Sequence, residues 1–193
     1  QGIGLDVRPF VASSWLHTKA SGDDDVDFEP GLDVFWNITP SLKFTGTINT
    51  DFGETEVDAR QINLTRFSVF FPEKRSFFLE DVGVFDFAST GPQQPGGAPP
   101  GRVDVFPFFS RRIGLLNGNE VPLEAGVKLT GKIGNTDVGI LGVQTGSTDS
   151  VEGKEFFVGR VKQRIFEESY VGGIFTYGNP NQGESGNTYG ADV

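Results

Sequence analysis

The chain has 193 residues, 27 of them glycine and 19 phenylalanine, with neither cysteine nor methionine. Its length supports one packed domain, and a 36% hydrophobic content excludes a disordered chain. The missing cysteines exclude disulfides and thiolate metal sites, and a formal net charge of −10 argues against a nucleic-acid partner, because phosphate binding needs a basic surface.

No run of about 18 apolar residues occurs, so no helix is expected to span a bilayer; barrel strands, which show only alternation, are not excluded by that. Alternation is what the chain shows. Ile3, Leu5, Val7 and Val11 open it, followed by Val26, Phe28, Leu32, Val34, Trp36 and Ile38 opposed by Asp27, Glu29, Asp33 and Asn37. Leu42, Phe44, Gly46 and Ile48 alternate with Lys43, Thr45, Thr47 and Asn49.

The rhythm breaks between Phe52 and Glu120. Asp58 to Phe71 reads as a short helix stopped by Pro72, with a strand as the alternative, and Gln93 to Gly101 reads as an extended Pro- and Gly-rich loop. Alternation then resumes. Leu123, Ala125, Val127, Leu129, Gly131 and Ile133 oppose Glu124, Lys128, Thr130 and Lys132, and Phe157, Val161 and Ile165 oppose Arg160, Lys162 and Arg164. Thr188 to Val193 reads as the opening of a further strand, so the chain is expected to be part of a longer protein.

Tight links at Thr39–Ser41, Gly134–Asp137 and Glu167–Ser169 alternate with long polar links at Ser13–Asp25, Gly146–Glu155 and Gly178–Gly186. Short turns at one end and long loops at the other predict an all-β, antiparallel up-and-down meander forming part of a transmembrane β-barrel. Residues 1–193 are read as the N-terminal portion of one barrel domain, with a lumenal insert within 52–120. The lipid face is expected to carry Leu123, Val127, Leu129, Ile133, Phe157, Val161 and Ile165, and the interior Lys128, Lys132, Arg160 and Lys162. Phe10, Trp15, Trp36, Tyr170 and Tyr177 fall near strand ends, where interfacial aromatic girdles form.

Glu73, Lys74, Arg75, Glu80, Asp81, Arg111 and Arg112 are charged islands in the most apolar part of the chain. They are expected to line a lumen or to pair in a plug, pairing being preferred because an unpaired buried charge costs several kcal/mol. Asp51, Glu54, Glu56 and Asp58 are a candidate cation site, with calcium as the ion that several carboxylate oxygens would take, but without the loop glycine and order of an EF-hand. A solvated acidic turn is the plainer reading. Two of these acids could also form a glycosidase pair, whose separation sequence does not give. His17 is the single histidine and sits in a polar loop, which leaves a Ser-His-Asp triad without support.

The element NTDF at Asn49 to Phe52, Val57-Asp58, NLTRF at Asn63 to Phe67, FFPEKR at Phe70 to Arg75, FFLE at Phe77 to Glu80 and SRRIG at Ser110 to Gly114 resemble one family. It is an uncharacterised family of bacterial outer-membrane barrels whose members usually carry an N-terminal domain like the family-nine carbohydrate-binding modules. That domain is not present here. The resemblance implies a location in the outer membrane, contact with its lipid, and a channel or surface protein for solute uptake; a glycan as solute follows only from the companion domain. Some relatives carry a hydrolase label, yet no catalytic constellation appears, so no enzyme activity is expected. The competing readings are a soluble extracellular carbohydrate-binding β-sandwich and an assembly protein that recruits partners through an open sheet edge.

Overall fold

A computed structural model describes residues 4–18, 23–50, 73, 75–88, 107–116, 119–147, 152–167, 169–179 and 184–193. Eight strands form one antiparallel sheet: β1 (Leu5–Thr18), β2 (Asp23–Thr39), β3 (Leu42–Ile48), β6 (Leu123–Ile133), β7 (Thr136–Thr145), β8 (Glu155–Arg164), β9 (Tyr170–Tyr177) and β10 (Asn187–Asp192). They pair in chain order, with β3 joined directly to β6. The described residues leave β1 and β10 as edges, so the sheet is an open meander.

Between β3 and β6 the chain forms a short helix α1 (Ser76–Leu79), 3-10 turns at Val82–Phe85 and Ser110–Arg112, and a small ribbon of β4 (Leu115–Leu116) and β5 (Asn119–Glu120). The described parts of this insert, residues 73–88 and 107–113, lie on one face of the sheet. The expected helix at Asp58 to Phe71 and the loop at Gln93 to Gly101 fall outside the described residues.

The tight turns share one end, as the link lengths predicted. Ser41 accepts a backbone bond from Lys132 at 2.7 Å, and its hydroxyl donates to the Lys132 carbonyl, tying the β2–β3 turn to β6. Arg164 N–H donates to Asn135 O at 3.0 Å, which ties β8 to the β6–β7 turn. Gly134, at φ 61°, supplies the left-handed position that a two-residue turn needs. The chain leaves β1, β3, β7 and β9 for its longer connections at the opposite end.

Successive residues of a strand point to opposite faces, and the register carries that alternation through the sheet. On the face away from the insert lie Val7, Leu32, Val34, Trp36, Phe44, Val127, Leu129, Val138, Ile140, Phe157, Val161 and Phe175. Many are open to the surroundings: Val127 is 49% exposed, Val161 48% and Ile133 60%. Apart from Glu124, in a bulge, Glu155, at the long-loop rim, and the paired positions His17 and Asp24 at the outer end of β1 and β2, no described strand position on this face carries an acid or a base.

The core lies on the other face, where Phe77, Phe78, Phe85 and Ile113 of the insert meet Leu123, Leu141, Val143, Phe156, Val158 and Ile174 of the sheet. Leu123 corrects its sequence assignment: it is 1% exposed within this core. The register shift between Leu123 and Ala125 reverses the alternation there, and simple periodicity cannot foresee a bulge. Phe10 and Tyr170 also leave the proposed girdle. Phe10 lines a cavity beside Phe77, and the Tyr170 hydroxyl bonds Asp192, both on the insert side. Trp36 and Tyr177 do lie on the open face; the Trp15 side chain is outside the described residues.

Candidate functional site

The insert is held by polar contacts that use its backbone as much as its side chains. Lys128 of β6 sends its ammonium to the carbonyls of Phe77 and Glu80, each at 2.6 Å, and so satisfies acceptors that a helix as short as α1 leaves free at its C-terminal end. Lys43 of β3 pairs with Glu80 at 2.8 Å, and Thr130 donates to Asp81 at 2.9 Å. Arg160 of β8 donates to the Asp86 carbonyl at 3.0 Å.

Glycines on the insert face make room for these contacts. A Cβ at Gly126 would lie 2.8 Å from the Phe77 ring, at Gly139 2.7 Å from Val84, and at Gly190 2.5 Å from the Phe87 ring. Gly172 leaves space for an ion pair instead. Over it, Arg160 and Asp192 meet in a bidentate pair, one arm at 2.7 Å, with side chains 0% and 3% exposed. Asp192 also accepts from the Ala88 amide and the Tyr170 hydroxyl, so both carboxylate oxygens are occupied.

A second buried pair lies within the insert. Arg75 meets Glu73 at 2.8 Å through both Nε and Nη2, with side chains 3% and 1% exposed. The same guanidinium donates to Ser110 O at 2.8 Å and Ile113 O at 2.7 Å, while the Ser110 hydroxyl donates to Glu73. Burial alone would raise the Glu73 pKa; the hydrogen bonds and charge of Arg75, with the Ser110 hydroxyl, outweigh it and hold the carboxyl below its ordinary value.

The charged islands therefore separate. Glu73 and Arg75 come together, whereas Glu80 and Asp81 reach different sheet strands. Arg112, expected in the paired network, is exposed and enters no ion pair among the described residues; both oxygens of the buried Glu73 carboxylate are already taken by Arg75 and Ser110. Arg111 is described in its backbone alone, and Lys74, Asp51, Glu54, Glu56 and Asp58 lie outside the described residues. Lys128, Arg160 and Asp192 anchor the structure without having been singled out as a network. Their signal was the short β-period that places Lys128, Lys132, Arg160 and Lys162 on one face.

Among the described residues, the insert borders a cavity at each of two places. One, of about 210 Å³, lies among Phe10, Asp33, Phe35, Thr45 and Phe77. The other, of about 390 Å³, lies at the long-loop end among Phe108, Phe109, Arg112, Phe156, Thr176 and Thr188. No group of three or more His, Asp or Glu among the described residues is arranged to hold a metal.

A family model matches residues 2–91, described as a domain of unknown function, DUF5916. The match takes in β1 to β3, α1 and the Glu73–Arg75 pair, but stops short of the SRRIG element at Ser110 to Gly114. No curated protein and no solved structure matches the chain.

Proposed function

We propose that this sheet is part of the wall of a bacterial outer-membrane β-barrel, with the insert packed on the lumenal side as a plug or constriction for solute passage. The observation that carries this reading is the division of charge between the two faces. An exposed apolar surface spread over eight strands is far larger than soluble monomers tolerate, while lipid contact requires it. The 10 or 11 residues of β6, β7 and β8 match the roughly 9–11 that a tilted strand needs to cross a bilayer. In such a wall, Lys128 and Arg160 avoid hydrocarbon by facing the lumen, where the insert satisfies them.

The solute is a small molecule, a glycan fragment being the choice that the family resemblance favours, and the protein performs no chemistry on it. The free edges of β1 and β10 favour a second reading, in which strand addition recruits another chain. Fractionation separates the readings. A barrel wall is expected in the outer-membrane fraction, with heat-modifiable migration on a gel; a soluble monomer overturns the membrane reading, and an ordered soluble filament replaces it with the second.

A further inference from the structure

The cavity at the long-loop end has a chemistry unlike that of the protein around it. The chain carries a net charge of −10, yet among the described residues that line this cavity the one charged side chain is a cation, Arg112, and there is no acid. Phe108, Phe109 and Phe156 supply apolar wall, and Thr176 and Thr188 bring hydroxyl-bearing side chains to the lining. Its volume of about 390 Å³ falls within the range of about 300–1,000 Å³ usual for small-molecule sites.

The backbone turn that carries Arg112 is held on both sides. It closes through Arg112 N–H to Phe109 O at 3.1 Å and Ile113 N–H to Ser110 O at 2.9 Å. Beneath it, the buried Arg75 guanidinium holds both Ser110 O and Ile113 O. The backbone that carries Arg112 is thus fixed beside the cavity, and the planar fork of a guanidinium matches a carboxylate.

We propose that this cavity binds a small organic anion, a carboxylate carried on an apolar ring, with Arg112 taking the carboxylate and the phenylalanines the ring. Binding alone is at issue, so the proposal stands independently of the membrane reading. A phosphate monoester would offer the same fork but a more strongly hydrated head, and the apolar walls favour the carboxylate.

The test is calorimetric titration of benzoate into the purified protein in detergent micelles, with neutral benzamide as the control. Benzoate is expected to bind with a Kd on the order of 1 mM, and benzamide at least tenfold more weakly. Arg112→Ala is expected to weaken benzoate about tenfold or more while leaving benzamide unchanged, and Arg112→Lys to weaken it less. Thr188→Trp, at an exposed position that narrows the cavity, should abolish binding of both probes. Undetectable benzoate binding by the folded protein, or an Arg112→Ala variant that binds it as the parent does, overturns the proposal.

Discussion

At the scale of single residues, the Glu73–Arg75 pair shows how much one guanidinium can organise. Removing one partner of a buried pair leaves the other charge without compensation, at a cost of about 3–5 kcal/mol. Replacing both partners with apolar residues often restores stability elsewhere, but here Arg75 also serves the carbonyls of Ser110 and Ile113. Arg75→Met is therefore expected to destabilise the insert by about 3–5 kcal/mol, and the Glu73→Leu/Arg75→Met double variant to recover only part of that, since each orphaned carbonyl costs about 1–3 kcal/mol. Hydrogen exchange of the amides of Phe78 to Phe85 measures both. Full recovery in the double variant would show that the backbone acceptors do not matter. The same pair predicts an acid response. The Glu73 pKa is depressed in the folded state, so its contribution is complete above the ordinary carboxylate value and is lost as pH falls through the folded value. Exchange protection of the insert should fall with acidification, and Glu73→Gln should flatten that dependence while lowering protection at neutral pH.

At the scale of elements, the insert and the sheet meet where the sheet lacks side chains. Gly139 and Gly159 are neighbouring strand glycines on opposite faces, and they separate docking from strand propensity. A Cβ at Gly139 would lie 2.7 Å from Val84 and 3.0 Å from the Phe85 ring, whereas one at Gly159 would meet nothing closer than Phe157 at 3.5 Å. Gly139→Ala is expected to displace the 3-10 turn at Val82–Phe85 and raise its protease sensitivity. Gly159→Ala should leave it protected. Equal sensitivity in the two variants would mean that the turn does not rest on β7.

At the scale of the whole molecule, the prediction concerns the open face. If that face meets hydrocarbon, Val127→Arg and Val161→Arg each cost about 2–4 kcal/mol near the bilayer midplane, whereas on a water-facing strand they would be almost neutral. Both variants should reduce the amount of assembled, heat-modifiable protein in outer membranes. Thr45→Arg, on the insert side and 2% exposed, should instead disturb insert packing without acting through lipid. Unchanged assembly of both valine variants would count against lipid contact.

The period-two pattern determined much of this in advance. Alternation at Leu42–Ile48, Ala125–Ile133 and Phe157–Arg164 fixed strand type and face, because a side-chain period of two leaves each strand one choice of side. Pro40, Gly134 and the short polar link at Glu167–Ser169 marked turns that do share one end. The gathering of charge between Glu73 and Arg112 marked the insert, and the pairing of Glu73 with Arg75 was within reach of that reading. Other features came only from tertiary structure. The bulge that buries Leu123 depends on pairing with β7, and Arg160 and Asp192, on strands separated by β9, are joined across a glycine that sequence shows only as a small residue. Arg75 and not Arg112 holds the Glu73 carboxylate, and the contacts that seat Arg75, to Ser110 O and Ile113 O, are distant in sequence. Local alternation carries information along one strand, whereas bulges, ion pairs and cavities arise between segments brought together only by folding.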